Sequence, residues 1–175
     1  LQDVAAAWRA GQDAADLPGL AWFEADGTCQ RGPFRPLLDV SSLPMVDRGL
    51  LRGRYRANRL ENGPVTVMAV SRGCGFRCTF CMTHAMDQAI DLEFKRRIQE
   101  ERGAYDKRAP LRKRTPEQVV AELRDIAARG YKSVEIADNI FTWGRARTLE
   151  ICAGIEDLGL EWVCLARASM LHDPE

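Results

Sequence analysis

From Val65 to Ala166, short apolar runs take turns with longer stretches whose apolar residues recur at helical spacing. The β-branched run Val65-Thr66-Val67-Met68-Ala69-Val70 predicts a buried strand. Thr115-Pro116-Glu117-Gln118 predicts a helix start, with Thr as N-cap, Pro at the first helical position and Gln three residues on to complete a capping box. Val119, Leu123 and Ile126 then repeat on one face, and Gly130 supplies the stop. Ser133 to Ala137 alternates as a second strand that ends at Asp138-Asn139. Arg145 to Leu158 reads as a second helix with Leu149, Cys152 and Ile155 inward and Gly159 closing it. Trp162 to Ala166 is a third strand, ending at Arg167. Strands and helices in this order at these short spacings predict a parallel β/α arrangement.

The pattern upstream is weaker. Residues 1 to 10 predict a helix with Leu1, Val4, Ala5 and Trp8 on one face and Gly11 as its stop. Gly19 to Glu24, followed by Asp26-Gly27, predicts a strand entering a hairpin with the residues after Thr28. From Gly32 to Pro64 periodicity fades into Pro, Gly and Arg, as in a connecting segment. The arginines at 48, 52, 54, 56 and 59 read first as a solvated linker and second as a surface for phosphates or cofactor carboxylates. Downstream, Ala85 to Gly103 places Ile90, Phe94 and Ile98 among dense charges, predicting an exposed amphipathic helix suited to a lid or partner surface. The basic stretch Lys107 to Arg114 reads as a solvated loop that can also meet anionic substrate groups.

Composition narrows the class. Lys plus Arg number 25 and Asp plus Glu number 25, so the basic surplus that nucleic-acid binding rests on is missing. No stretch approaches the roughly 20 apolar residues of a membrane span. Cysteines gathered at a metal spacing, rather than spread as a framework, point to a reducing cytoplasm. Cys29, Cys152 and Cys164 read as buried small hydrophobes rather than ligands.

The chemistry lies directly after the first strand. Cys74, Cys78 and Cys81 stand at C-x3-C-x2-C spacing in a glycine-containing loop. Three thiolates with no fourth partner nearby leave one coordination position open, whereas a structural zinc site is closed by four ligands. Ferredoxin-type runs use other spacings and close the cluster. An incompletely ligated iron–sulfur cluster is the better reading; a reduced cysteine loop or a partial zinc site is the alternative. Gly73 and Gly75 suit a chain folding tightly around a cluster.

With an aromatic beside the last cysteine, Cys74, Cys78, Phe80 and Cys81 resemble the C-x3-C-x-aromatic-C signature of the radical S-adenosylmethionine (SAM) superfamily. The resemblance implies a [4Fe-4S] cluster on the three cysteines, with SAM chelating the fourth iron through its amino and carboxylate groups and undergoing reductive cleavage to a 5′-deoxyadenosyl radical. It places Phe80 near the adenine. His84 is disfavoured as a ligand, because it would occupy the iron SAM needs. The fold class implied is α/β, a partial parallel (β/α) barrel, whose chemistry gathers at the C-terminal strand ends. There Asp138, Asn139 and Arg167 are the expected SAM contacts, the acid for the ammonium and the guanidinium for the carboxylate. Many relatives carry Gly-Gly-Glu at the second strand end, where this chain has Ala137-Asp138-Asn139.

Residues 17–22 and 39–48 resemble the tail and linker that join a cobalamin-binding domain to such a barrel, although no D-x-H-x-x-G loop is present. The expected division is therefore 1–64, the tail of a cobalamin-binding α/β domain plus linker, and 65–175, the first part of the barrel. The implied enzyme is a cobalamin-associated radical SAM protein acting on a small molecule by methyl transfer, rearrangement or cyclisation, reduced by a donor such as flavodoxin or ferredoxin. The alternatives are a methylthiotransferase-like enzyme, which would need a second cysteine cluster upstream, and a zinc- or cluster-bearing binding module. The chain has no initiating Met, and Asp173-Pro174-Glu175 announces a helix at its end, so a longer protein is expected. Three strands rather than six would leave a parallel edge unpaired.

Overall fold

In the computed structural model the described residues are 2–13, 15, 17–33, 35, 37–51, 53, 55, 60, 62–76, 78, 80–81 and 111–171. The expected helix over 85–103, His84, the arginines at 52, 54, 56 and 59, and residues 173–175 lie outside them. The chain forms two compact units, 1–38 and 39–175.

The first unit holds helix α1 (Gln2–Arg9) and a hairpin of β1 (Ala21–Phe23) and β2 (Cys29–Arg31), with Phe23 opposite Cys29. Asp26 closes the turn by accepting from Thr28 N–H at 2.8 Å, beside Gly27 at φ 84°. On α1 the buried residue is Ala7, and Trp8, expected inward, is 85% exposed. So small a unit has little surface with which to cover an indole. Cys29, expected buried, is exposed on its strand.

The second unit is built on a parallel sheet of β3 (Val65–Met68), β6 (Ser133–Ile136) and β7 (Glu161–Cys164), ordered β3-β6-β7. Register aligns Met68 with Ile136 and Cys164, and Val67 with Glu135 and Val163. Alternation along each strand sends Met68, Val134 and Ile136 to the face that meets the helices, and that core also takes in Val119, Leu123, Ile126, Ile151 and Ile155. Val67, Glu135 and Val163 occupy the opposite face. A short antiparallel ribbon of β4 (Ser71–Arg72) and β5 (Arg112–Lys113) stands beyond β3. A closed barrel is not formed by the described residues.

Helix α2 (Pro116–Ala128) begins as expected, with Thr115 and Gln118 in a reciprocal capping box. It ends at Arg129, with Gly130 at φ 81° as the left-handed residue that follows. Helix α3 (Arg145–Ile155) runs into a single 3₁₀ turn and stops at Gly159. Its buried residues are Ile151 and Ile155, while Leu149, expected inward, is 54% exposed. The close approach of the helices decides this: a Cβ on Gly154 would stand 2.6 Å from Val120 Cγ2, so the Gly154 side of α3 is the side that fits against α2. A short last helix, α4 (Ala168–Leu171), follows β7. No helix of the described residues is long and apolar enough to cross a membrane.

Residues 39–51 are not a solvated linker. Asp39 and Asp47 cap consecutive 3₁₀ turns, accepting from Ser41 N–H and Gly49 N–H at 2.9 Å each. Between the turns and the sheet, Arg48 is 4% exposed and reaches Glu122 on α2 at 2.6 Å, Thr66 Oγ1 at 3.1 Å and the Val67 carbonyl at 3.3 Å. Arg114, expected in a solvated loop, pairs with the other oxygen of the same buried carboxylate.

Candidate functional site

The first two parallel strands part company at Met68. The last backbone bond between them runs from Ala137 N–H to the Met68 carbonyl at 2.9 Å. Past that point Asp138, 2% exposed, takes over with its side chain: Oδ1 accepts from Val70 N–H at 2.8 Å and Ser71 N–H at 3.1 Å, and Oδ2 accepts from Ser71 Oγ at 2.5 Å. Arg147 of α3 holds the same segment from the other side, donating to the Val70 carbonyl at 3.4 Å and the Arg114 carbonyl at 3.1 Å. Burial pulls its guanidinium below the ordinary arginine value, and the nearby Asp138 carboxylate opposes that shift.

From this root the chain turns at Gly73, φ 100°, into the cysteine loop. Cys74, Cys78 and Cys81 are half-buried, and Cys81 N–H donates to the Cys78 carbonyl at 3.1 Å. Two other strand ends close on the loop. Trp143, from the connection after β6, lies so near Gly75 that a Cβ there would be 2.8 Å from its ring, and it stacks on Phe76 with centroids 5.4 Å apart and planes 22° apart. Arg167, just after β7, sets its guanidinium 4.0 Å from the centre of the Phe76 ring. It also donates to Ser169 Oγ at 3.0 Å and brings Nη1 to 3.8 Å from Cys78 Sγ. The loops following three neighbouring parallel strands therefore meet in one place, as a β/α architecture requires of its functional face.

Of the residues expected at the site, Cys78 and Arg167 are brought together directly. Asp138 is tied to the root of the loop, Asn139 is half-buried beside it, and Phe80 is 90% exposed. Phe76, Trp143, Arg147 and Ser71 were not expected. The one local signal for them was Gly75, since a glycine in a cysteine loop also permits a ring to press on the backbone. The donor set, three thiols on one short loop, suits an iron–sulfur cluster by its chemistry. No three His, Cys, Asp or Glu side chains among the described residues are gathered closely enough to hold a metal ion.

This is a mixed α/β fold with a parallel sheet, and it resembles the cobalamin-dependent radical SAM enzymes. The cobalamin-dependent radical SAM enzyme OxsB superposes with a TM-score of 0.68 at 18% identity, over 99% of this chain and 22% of that one. The radical SAM methyltransferase TsrM from Kitasatospora setae superposes at 0.50, also 18% identical, over 87% of this chain and 27% of its own. An uncharacterized methyltransferase of Pyrococcus horikoshii is 27% identical over 168 residues, 93% of this chain and 31% of the relative. The chain thus spans about a third of the length of that relative. No family model matches it.

Proposed function

We propose that the chain is part of a cobalamin-associated radical SAM enzyme that transfers a methyl group to a small-molecule substrate. In this reading residues 65–175 are the first part of the barrel, and residues 1–64 are the tail and linker of a cobalamin-binding domain. The observation that carries it is the C-x3-C-x2-C loop at the end of the first parallel strand, with the next two strand ends stacked against it. The names of the methyltransferase relative and of TsrM favour methyl transfer over rearrangement.

Cys74, Cys78 and Cys81 would hold a [4Fe-4S] cluster. Bound there, it supplies single electrons to SAM, after reduction by a small carrier such as flavodoxin or ferredoxin. The protein's own part is to hold the reactants. Arg167, steadied by Phe76 and Ser169, meets the SAM carboxylate, and Phe80 covers the adenine. Asp138 was expected at the SAM ammonium, but both its oxygens are committed to Val70 and Ser71, so we assign the ammonium to Asn139 at the same strand end.

Electron paramagnetic resonance of the anaerobically reconstituted, dithionite-reduced full-length protein tests this. A [4Fe-4S]⁺ signal that shifts when SAM is added, and is lost in Cys78→Ala, is expected. A colourless protein carrying one zinc, or a cluster indifferent to SAM, would refute it.

A further inference from the structure

We infer that Asp138 is a positioning residue for the cysteine loop and does not contact SAM. The inference refines the reading above, because it concerns the loop that reading makes the cluster site.

The bonding of Val70 and Ser71 is the argument. Val70 is fully buried and lies beyond the last ladder bond of β3, so its backbone groups need partners that the sheet no longer offers. Asp138 accepts its N–H, and Arg114 N–H at 3.0 Å together with Arg147 serves its carbonyl. The next N–H and the Ser71 hydroxyl, on a residue 7% exposed, go to the same carboxylate. Two consecutive N–H groups point to opposite sides of a regular strand. Here both reach Oδ1 of one side chain, so Asp138 fixes the bend by which the chain leaves β3. Gly73 and Cys74 follow that bend at once. A carboxylate 2% exposed, with both oxygens engaged, has no open face for the ammonium of a ligand.

Substitution separates the two roles, because asparagine preserves the anchor's shape while removing its charge. Its oxygen can accept both N–H groups, and its amide can donate to Ser71 Oγ. Ser71→Ala weakens the anchor without altering any group that could meet SAM. Hydrogen exchange of the 70–81 segment in the full-length, cluster-free protein should quicken roughly ten- to hundredfold in Asp138→Ala, as expected for loss of charge-assisted bonds. It should quicken less in Ser71→Ala and least in Asp138→Asn. In the reconstituted protein, Asp138→Asn should keep its SAM affinity, read from the SAM-induced spectral shift, within about threefold of wild type. Unchanged exchange in Ser71→Ala, or a SAM affinity more than tenfold weaker in Asp138→Asn, would overturn the inference even if Asp138→Ala fails to fold. So would unchanged exchange in a folded Asp138→Ala. Exchange is read without a cluster, so failure of the wild type to take up iron would remove the radical reading and leave this test decisive.

Discussion

Glu122 offers the sharpest test of what holds the second unit together. Its side chain is 1% exposed and shared by two guanidiniums, Arg48 at 1% and Arg114 at 12% exposure. Replacing it with glutamine keeps the volume and removes the charge, leaving two cations against one neutral amide. Breaking a buried pair in this way costs about 3–5 kcal/mol, mostly through the partner left uncompensated. Arg48 dominates that cost. It keeps Thr66 Oγ1 and the Val67 carbonyl as acceptors but has no route to water, whereas Arg114 is partly solvated. At roughly 2–4 °C per kcal/mol for a folding unit of this size, the transition that unfolds this unit should fall by about 6–20 °C. The assay is a thermal melt of the full-length protein followed by circular dichroism. An apolar replacement of the fully buried pair, Arg48→Met with Glu122→Leu, should recover part of the loss, since buried ion pairs return little net energy over well-packed hydrophobes and the third member, Arg114, is partly solvated. A Glu122→Gln protein melting within about 1 °C of wild type, or a double variant no better than the single, would refute the reasoning.

Gly75→Ala should force Trp143 off Phe76, cost about 1–3 kcal/mol as overpacking does, and alter the near-ultraviolet dichroism; Trp143→Leu in the same chain should relieve it. Cys29, exposed, should be alkylated well before Cys152 and Cys164, whose thiols burial holds above the ordinary cysteine value, as peptide mapping after brief maleimide treatment would show. Asp157 accepts two bonds from Arg124 and lies below the ordinary carboxylate value, so its contribution to stability is present above about pH 4 and is lost as pH falls through the folded value. Melts of Asp157→Asn should accordingly sit slightly below wild type at neutral pH and coincide with it in acid, the difference being small because the pair is exposed.

What the sequence disclosed was whatever is decided locally. Thr115, Pro116 and Gln118 carry a complete capping box within one turn, and Gly130 and Gly159 mark helix ends by the left-handed backbone only glycine adopts freely. The β-branched run before the cysteines needs no partner to be recognised as a strand. Arg48 was illegible because its meaning lies in Glu122, 74 residues away, and nothing near either residue announces the other. The inward face of α3 was misjudged for a related reason. Leu149 and Ile151 are equally apolar, and the choice falls to Gly154 meeting Val120 across the helix pair. At the site, spacing singled out the three thiols as candidates, and strand order brought Arg167 to Cys78. The Phe76–Trp143 stack depends on how two loops meet, which no single stretch encodes.

The ribbon of β4 and β5 has a consequence for descent. Ser71 pairs with Lys113 and Arg72 with Arg112, so the chain departs and comes back through one two-residue doorway. The pairing holds the two ends of that excursion together. Doubling the length of such an excursion adds only about 0.6 kcal/mol of closure entropy. Lineages sharing this scaffold are therefore free to vary the length of the chain between Arg72 and Arg112 at little cost to the pairing that closes it.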